Sequence, residues 1–449
     1  MNRRTFIQSS SGTVAALAMT GALARTRRAA AKDLANDRIS VCVAGVGGRG
    51  NGLLHTFAAL DMVDIKYVCD IDENILGSRT DSLVKDNERV AKRPPERIKD
   101  FRRALDDKEV DALVLGTPDH WHALPSIFAC MAGKDVYTEK PDGHNAIEGR
   151  TMVAAAKKHG RIVQLGTQSR SGPHFLKAME FIRTGQLGRV VMAKAWESAR
   201  QGSIGKPPDG EAPKTVDYDM WLGPAPKRPF NPRRFHGNWR WFFDYGTGDL
   251  GNDGVHRLDV ARWALETAIE AKGEKPLGLP ERVSGLGGKY YFDDAQEWPD
   301  TLMATYDYPG RILTYEMRLW SSHRIEGVPG EGAAVYGDQA YLVFANDGWR
   351  AMRPNGEVIA HEKGGHYDRQ HVQNFIDCMR SRTKPAADLE TIGHPSSLLC
   401  HLGNAAWRAG RTLKFDFENY RFIGDEDANQ FLTRPEYRKP WVLPRIEDV

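Results

Sequence analysis

The feature that most constrains the fold is the stretch 41–50, in which an apolar run stops in a Gly-x-Gly-x-x-Gly turn before a helical pattern. An apolar run of this length bounded by glycines predicts a buried parallel strand. In a dinucleotide-binding turn of this spacing, Gly45 makes the tight turn, Gly47 admits a pyrophosphate and Gly50 packs the helix against the strand. The phosphates then lie at the helix N-terminus, where unpaired N–H groups favour an anion. The predicted phosphate-binding residues are Gly45, Gly47, Gly48, Arg49 and Gly50.

A second apolar run, Ile65 to Cys69, ends at Asp70. This is about the 20-residue offset at which a carboxylate receives the ribose hydroxyls of a bound dinucleotide. A carboxylate at this position repels a 2′-phosphate. The sequence therefore predicts NAD rather than NADP as the cofactor.

From Arg38 to residue 167, apolar runs alternate with helical patterns. This alternation indicates right-handed crossovers and a parallel sheet, so we expect an α/β Rossmann dinucleotide-binding domain over residues 37–167. Strands are expected at 39–44, 65–69, 97–100, 111–116, 135–138 and 161–166, and helices at 49–60, 73–90, 101–106, 121–132 and 146–159.

After residue 167 the pattern changes to strands that mix apolar and polar positions, as in an antiparallel sheet with one solvated face. We expect an α+β substrate domain over residues 168–449. Its strands are expected at 189–197, 288–292, 301–308, 311–319, 333–337 and 340–345, and its helices at 173–184, 367–381 and 395–409.

The N-terminal residues 1–31 carry Arg3 and Arg4, followed by Phe6 and a charge-free, small-residue stretch over 9–24. This pattern is typical of a twin-arginine export signal, whose partner is the twin-arginine translocase and whose destination is the periplasm. The alternative is a disordered basic tail. The stretch holds five arginines and no acid, so its removal changes the net charge from +3 to −2 and leaves no support for nucleic-acid binding.

The sequence also lacks a membrane-spanning stretch and paired cysteines, which limits the class of protein. No stretch reaches the roughly 18 apolar residues of a membrane span, so we expect no stable membrane insertion. The five cysteines show no Cys-x-x-Cys spacing, and we expect them to be free, buried thiols.

In an open parallel sheet the ligand lies at the carboxyl ends of the strands. The first such end carries Thr117, Pro118 and His122, which we expect to line the nicotinamide side of the cleft, with ordinary helix capping as the alternative. His120 and His122 do not predict a metal, because adjacent positions at a helix start point apart and no third ligand is evident.

The next strand end carries Glu139, Lys140 and Pro141. A surface ion pair is one interpretation. The other is that Lys140, fixed by the following proline, points into the cleft and holds or shuttles the proton of a sugar hydroxyl. The last parallel strand ends in the stretch 166–170, where Gln168 and Arg170 are candidates for contacts with substrate hydroxyls.

A glycine-rich segment, 244–259, runs into an apolar helix. On a regular helix Asp249, Asn252, His256 and Asp259 would form one polar stripe, facing either solvent or a site. The preceding stretch 230–243 interleaves aromatics with arginine, which suits stacking on a sugar ring, stacking on a nucleobase, or fixing a loop.

These motifs together resemble the glucose-fructose oxidoreductase, inositol dehydrogenase and rhizopine-catabolism (Gfo/Idh/MocA) family. The resemblance rests on the glycine turn, Thr117-Pro118 with His122, Glu139-Lys140-Pro141 and the segment leading to His256 and Asp259. It implies that Lys140 and His256 are catalytic, and that the C-terminal domain is an open-faced, mainly antiparallel sheet used for substrate and oligomer contacts. The expected substrate-side residues are Gln168, Arg170, Trp241, Tyr245, Asp253 and Asp259.

The chain departs from the family pattern at Asn252, where the family usually has an aspartate. We expect another acid to support His256. Asp249 is favoured, since it lies on the same face of an ideal helix, and Asp253 is the alternative.

The resulting functional hypothesis is an exported, homo-oligomeric, NAD(P)-dependent oxidoreductase acting on CH–OH groups. It would transfer a hydride between a sugar, glycoside or cyclitol carbon and a tightly bound nicotinamide. One alternative is a redox-neutral, NAD-dependent glycosidase that oxidises, eliminates and re-reduces. Another is a binding protein that has kept the fold and lost the chemistry.

Overall fold

The structure is a computed structural model that describes residues 38–449. The predicted export signal over residues 1–31 lies outside the described residues. The described chain forms a six-stranded parallel sheet and a ten-stranded, mainly antiparallel sheet, which confirms the predicted fold class. Among residues 38–449, no helix is long and apolar enough to cross a membrane.

The first unit alternates strands with helices. Its strands are β1 (Ile39–Ala44), β2 (Val63–Cys69), β3 (Glu96–Ile98), β4 (Ala112–Leu115), β5 (Asp135–Thr138) and β6 (Val163–Leu165). Its helices are α1 (Arg49–Ala58), α2 (Glu73–Asp86), α3 (Glu88–Lys92), α4 (Arg102–Asp106), α5 (Ala123–Met131) and α6 (Ala146–His159).

The parallel strands lie in the order β3-β2-β1-β4-β5-β6. Strands β4 and β5 are buried along their whole length, as expected for central strands covered by helices on both faces. The strand order reverses direction between β1 and β4. A crevice therefore opens there, at the carboxyl ends of the strands, which is the usual ligand position in such a sheet.

The second unit begins with a helix and is dominated by strands. Its helices are α7 (Pro173–Arg183), α8 (Tyr218–Leu222), α9 (Val255–Glu270), α10 (Asp368–Ser381), α11 (His394–Ala409) and α12 (Glu426–Asn429). Its strands are β7 (Val190–Glu197), β8 (Arg282–Gly288), β9 (Thr301–Tyr308), β10 (Arg311–Arg318), β11 (Glu331–Gly337), β12 (Tyr341–Ala345), β13 (Gly348–Met352), β14 (Val358–Lys363), β15 (Leu413–Asp416) and β16 (Arg421–Phe422).

The strand order of the large sheet is β14-β13-β12-β11-β7-β10-β9-β8-β15-β16. Strand β7 lies near the middle, parallel to β10 and antiparallel to β11. Helices α9 and α11 contribute side chains such as Leu258 and Leu402 to the apolar core on one face. On the other face the paired residues Leu286 and Met303 are exposed, so this part of the sheet is open to solvent.

Late segments of the chain complete the first unit. Helix α10 packs against α1, where Phe375 and Phe57 meet edge to face with ring centroids 6.3 Å apart. Near the end of the described chain, Trp441 packs against Phe101 and Trp121. The core of the nucleotide-binding unit therefore includes residues from both ends of the described chain.

The sequence pattern placed most elements within a few residues but missed several. The helix expected over 73–90 is divided, because the Asn87 side chain accepts hydrogen bonds from the N–H groups that begin α3. The strand expected at 288–292 is wrong, since β8 ends at Gly288. Strands β13 to β16 were not predicted. All five cysteines are free and buried, as expected.

Candidate functional site

The glycine turn after β1 has a backbone that requires glycine at two positions. Gly45 has a φ of 75°, and a Cβ added there would lie 2.8 Å from Thr117. A Cβ added to Gly50 would lie 1.7 Å from the carbonyl oxygen of Gly45. Helix α1 therefore begins in close contact with the turn, and no side chain caps its first N–H groups. These free donors are suited to a phosphate.

The turn opens onto a cavity of about 280 Å³ between the two units. Gly47, Gly48 and Arg49 line one side, and Asp70 lies at the end of the neighbouring strand β2. The Asp70 carboxylate accepts hydrogen bonds from the N–H groups of Val46 (2.9 Å) and Asp72 (3.1 Å). Burial raises the pKa of this carboxyl, and the two N–H groups oppose that effect. Asp70 is thereby fixed beside the turn.

Thr117, Pro118 and His122 also line the cavity. The His122 ring lies between two carbonyl oxygens, with Nδ1 2.6 Å from that of Pro141 and Nε2 2.8 Å from that of Thr117. Its side chain makes no capping hydrogen bond to α5. His122 therefore ties the loop after β4 to the loop after β5 and holds the backbone next to Lys140.

Lys140 lies on the floor of the cavity. Its ammonium group donates to the backbone carbonyl of Asn252 (2.6 Å) and to the side-chain oxygen of the same residue (3.2 Å). The ammonium has three N–H donors, so one remains for a ligand. The first unit thus presents its lysine to the second unit at the cleft.

Glu139 and Arg49 form an ion pair at the edge of the cavity, with Nε and Oε1 3.0 Å apart. Arg49 also pairs with Asp368 at the start of α10. Gln168 donates to Glu139 (3.0 Å) from behind and is itself buried. The structure therefore places Gln168 as a support for Glu139, outside the residues that line the cavity.

The polar segment before α9 is not a regular helix. Residues Leu250–Gly254 form a π-helical turn, and α9 begins only at Val255. The stripe expected from a regular helix is therefore wrong, because the extra residue of the π turn changes which side chains share a face. Asn252 faces Lys140 and donates to Asp249 (3.3 Å). The order of contacts is Lys140, Asn252, Asp249.

Asp259 points away from this site. Its carboxylate accepts from Arg170 (2.8 Å) and from Ser396 (2.7 Å), and both charged side chains are buried. Arg170 also stacks on Trp263, 4.5 Å from the ring centroid. The structure places this ion pair in the interior of the second unit. The expected contact of Arg170 and Asp259 with substrate is therefore corrected to a structural role.

Trp241 and Tyr245 were also expected near the substrate. Both belong to the buried apolar core of the second unit and are absent from the cavity lining. The residues from this stretch that do line the cavity are His236, Gly237, Trp239 and Arg240. The interleaved aromatic and basic pattern therefore identified a segment that reaches the cavity. The ring that lines the cavity is Trp239, two positions before the expected Trp241.

His256 lies at the start of α9, half-buried and just outside the cavity lining. Its side chain makes no hydrogen bond with any other described residue. Burial and the charge of Lys140 hold the pKa of His256 well below its usual value, whereas Glu331 acts in the opposite direction. Its imidazole is therefore neutral near pH 7. The acid that influences it most is Glu331, which the sequence did not indicate.

No hydrogen bond joins Asp249 to His256, and the Asp249 carboxylate accepts from Asn252. It is buried, and burial together with Asp253 and Glu197 raises the pKa of its carboxyl well above the usual range. The pKa of the Asp253 carboxyl is also raised. Burial is the largest cause, and the charge of Lys140 opposes it. Asp249 thus supports Asn252 rather than the histidine, and the sequence hypothesis of a direct Asp249–His256 pair is corrected.

His120 has a structural position. Its ring nitrogens face the carbonyl oxygens of Tyr245 (3.2 Å) and Trp221 (2.8 Å), and burial lowers the pKa of its imidazole to about 3. The neighbouring Asp119 accepts from the N–H (3.1 Å) and hydroxyl (2.6 Å) of Thr247. The nitrogens of His120 and His122 are all occupied by carbonyl oxygens.

A segment of the second unit covers the cavity. Asp217 donates from its N–H to the carbonyl of Ile71, and the N–H of Glu73 donates to the carbonyl of Thr215 (both 3.0 Å). The ring of His236 lies 2.9 Å from the carboxylate of Asp72, which also caps α2. We call residues 210–241 the cover segment. It attaches to the first unit next to Asp70.

A glycine turn at a helix N-terminus, an acid at the end of the second strand and a lysine on the floor of the cleft define a dinucleotide-dependent enzyme site. Family models agree. The model of the NAD-binding Rossmann fold of the GFO_IDH_MocA oxidoreductase family matches residues 39–167, and that of its C-terminal alpha/beta domain matches residues 191–275 and 354–443. Together the matches cover more than half of the chain. The chain belongs to the Gfo/Idh/MocA family of oxidoreductases, which confirms the expected enzyme class.

Among curated proteins, the chain is similar to glycosyl hydrolase family 109 protein 2 of Shewanella sp. (strain ANA-3). The two are 28% identical over 209 residues, 43% of this chain and 45% of that protein. The chain spans less than half the length of the first curated relatives it matches.

Among solved structures, the aldose-aldose oxidoreductase of Caulobacter crescentus complexed with glycerol aligns with a TM-score of 0.63 and 19% identity. The alignment covers 84% of this chain and all of that one. A levoglucosan dehydrogenase in complex with NADH and levoglucosan aligns with a TM-score of 0.63 and 15% identity, over 84% of this chain and 99% of that one. At these identities the likeness shows a shared fold.

Proposed function

We propose that the chain is an exported, NAD-dependent oxidoreductase that transfers a hydride between a carbinol carbon of a sugar, glycoside or cyclitol and a tightly held nicotinamide. The observation that carries this proposal is the cavity itself. One cleft brings together the glycine turn, Asp70, Lys140 and Asn252. The fixed carboxylate of Asp70 favours NAD, since a 2′-phosphate would be placed against a negative charge.

The residues present fit a dinucleotide. The uncapped start of α1 supplies N–H donors for the pyrophosphate, and Asp70 can accept from ribose hydroxyls. Bound NAD supplies the hydride acceptor or donor. The cover segment adds Trp221, Trp239 and Arg240 to the other side of the cleft. A cofactor enclosed in this way is suited to being recycled in place between two substrates.

The chain's own residues handle the hydroxyl proton. Lys140 donates its remaining N–H to the substrate oxygen and so orients the carbinol. His256 accepts the proton, because no other described residue occupies the nitrogen atoms of its ring. Glu331 stabilises the resulting imidazolium electrostatically. Arg257, despite the burial of Glu331, holds the pKa of that carboxyl at about 2 and keeps it ionised.

Asn252 takes a positioning role in this scheme. It accepts from Lys140 and donates to Asp249, so it fixes the ammonium without adding a second charge to the cleft. The usual aspartate is therefore not needed to hold the lysine. The alternative is that Lys140 is the only base and His256 positions the substrate.

The substrate class is supported by the ligands bound in the structures of similar fold. Levoglucosan dehydrogenase was solved with NADH and levoglucosan, and the aldose-aldose oxidoreductase with glycerol. In this chain, Trp239 and Arg240 offer an aromatic face and a cation next to the cavity. This pair is suited to a sugar ring and its hydroxyls.

A redox-neutral glycosidase is the second candidate, and the match to glycosyl hydrolase family 109 proteins favours it. Such an enzyme oxidises, eliminates and re-reduces with the same bound NAD. The same lysine, histidine and cofactor cleft would serve both reactions. The two candidates differ in product.

The test is to purify the chain, identify the bound dinucleotide by mass analysis, and add a panel of glycosides, free sugars and cyclitols. We expect close to one NAD(H) per chain. A keto-sugar with reduction of bound NAD indicates the oxidoreductase, and free sugar without net cofactor change indicates the glycosidase. Protein that binds dinucleotide only weakly, and turns over no member of the panel, would overturn the proposal.

Export is tested separately, since it depends on residues 1–31. The export hypothesis rests on the paired arginines Arg3 and Arg4. Both are replaced by lysine and the cells are fractionated. We expect the protein to move from the periplasmic to the cytoplasmic fraction. An unchanged distribution counts against twin-arginine export and leaves the redox proposal intact.

A further inference from the structure

Three carboxylates form a cluster behind the cofactor cleft. Glu197 ends β7, Asp249 directly precedes the π turn before α9, and Asp253 lies within that turn. One carboxylate oxygen from each lies within 4.8 Å of the others. Glu197 and Asp249 are buried, and Asp253 is half-buried. Three like charges this close are strongly unfavourable unless something neutralises them.

No basic side chain among residues 38–449 makes an ion pair with these three acids. The cations that act on these acids from nearby are Lys140, which donates to Asn252, Arg257, which pairs with Glu331, and Arg240, which lies over the ring of Trp239. Several other buried acids of the chain have a cationic or imidazole partner. Examples are Asp259 with Arg170, Glu148 with Arg434 and Asp142 with His394. The cluster is therefore unlike the structural acids of this fold.

The side chain of Tyr315 lies next to the same three carboxylates. Tyr315 on β10 is fully buried, and its hydroxyl has no hydrogen-bond partner in the described chain. The hydroxyl lies 2.8 Å from where a Cβ on Gly254 would be, beside Asp253. All three carboxylates raise the pKa of this phenol, after burial, which is the largest cause. The Oδ2 atom of Asp249 is likewise buried without a partner.

We propose that Glu197, Asp249 and Asp253 bind a divalent cation, with the hydroxyl of Tyr315 in its surroundings. Carboxylate oxygens are the ligands that Ca²⁺ and Mg²⁺ prefer. Mg²⁺ is usually held by one or two carboxylates and keeps several waters, whereas Ca²⁺ takes about six to eight oxygen ligands in flexible geometry. A set of three protein carboxylates therefore favours Ca²⁺. The ion would tie the end of β7 to the π turn and to the residue before it.

This site is independent of the redox proposal, because binding is measured without substrate or turnover. The purified chain is treated with EDTA, dialysed and titrated with CaCl₂ by calorimetry, with MgCl₂ and MnCl₂ in parallel. We expect one Ca²⁺ per chain and a higher unfolding temperature in its presence. If none of the three cations binds, the cluster is neutralised by protons and the proposal is overturned.

Matched variants locate the site. Asp249→Asn removes one ligand charge and is expected to abolish binding, and Tyr315→Phe to weaken it about 10-fold. The control is Glu316→Gln, an acid next to Tyr315 on the same strand that pairs with Lys194 (2.7 Å), and it keeps one ion per chain. If Asp249→Asn does not fold, Glu197→Gln replaces it. Binding unchanged in the ligand variant that folds would overturn the assignment.

Discussion

At the scale of single residues, the division of work between Lys140 and His256 is the central question. Lys140 has two of its three N–H donors on Asn252, whereas the ring of His256 has no hydrogen-bond partner in the described chain. A proton acceptor needs a free lone pair, and the neutral imidazole has one. The geometry therefore separates an orienting cation from a base.

The first prediction tests this separation. We expect His256→Ala to lower the rate of reduction of bound NAD by about 100-fold or more, as is typical for loss of a general base. Lys140→Met should also lower the rate, and in addition weaken substrate binding. Single-turnover absorbance measurements give both quantities. A His256→Ala rate close to wild type would assign the base to Lys140.

The second prediction concerns Asp70. Replacement by Ala removes the acceptor for the ribose hydroxyls, at a cost of about 1.5–3 kcal/mol in NAD binding. It also removes the charge that opposes a 2′-phosphate, so discrimination against NADP should decrease. Dissociation constants for both dinucleotides are measured on cofactor-free protein. Equal loss of affinity for NAD and NADP would contradict the proposed role in selectivity.

At the scale of elements, the cover segment links the second unit to the first next to the adenosine end of the cleft. Its attachments are mostly backbone hydrogen bonds, with one side-chain pair, His236 with Asp72. His236 has a φ of 59°, a left-handed conformation that non-glycine residues rarely adopt. The pair therefore holds the segment at a locally strained position.

The third prediction follows from that pair. His236→Ala should speed the release of NAD by about 5-fold or more, because loss of a charged or polar contact of roughly 1 kcal/mol eases opening of the segment. Stopped-flow displacement of NADH fluorescence measures the release rate. The exposed His361 on β14 supplies the control, His361→Ala, which should leave the rate unchanged. Equal rates in both variants would show that the segment does not retain the cofactor.

The elements also show what the sequence did and did not predict. Periodicity identified the parallel strands and their helices, because each buries a regular apolar face. It missed β8, where Gly285 and Gly287 hide the strand pattern, although a Cβ on Gly285 would lie 2.7 Å from the backbone of Trp407. The candidate site was found from strand ends and glycine spacing, which are local signals.

The acids around the site were harder to predict. Glu197 and Glu331 lie on β7 and β11, neighbouring antiparallel strands of the large sheet, and only the tertiary fold brings them to the π turn. The π turn itself shifts the register by one residue, which spacings of three and four cannot reveal. The sequence therefore paired Asp249 with His256, whereas the structure places it beside Asn252.

At the scale of the whole molecule, buried neutral histidines set the response to acid. Burial lowers the pKa of His120 to about 3 and of His371 to about 4. The unfolded chain binds these protons near pH 6.5. Stability is therefore complete above pH 6.5 and is lost as the pH falls toward the folded-state values.

The fourth prediction is the size of that loss. Below pH 6.5 each such histidine lowers the free energy of unfolding by up to about 1.4 kcal/mol per pH unit. Replacing His371 by Gln should reduce the slope by that amount between pH 6 and pH 5, measured by urea denaturation. The exposed His361→Gln should retain the wild-type slope. A His371→Gln slope equal to wild type would contradict the account.

The packing of α10 on α1 has a consequence for biosynthesis. A ribosome releases the strands of the nucleotide-binding unit first, and Phe57, although it also meets Tyr137 of β5, lacks its contact with α10 until Phe375 has been translated. The first unit is thus an incomplete foldon for most of translation, and chaperones would meet its apolar helix face during that interval. The N-terminal half should therefore fold poorly when expressed alone, although it contains every strand of its own sheet.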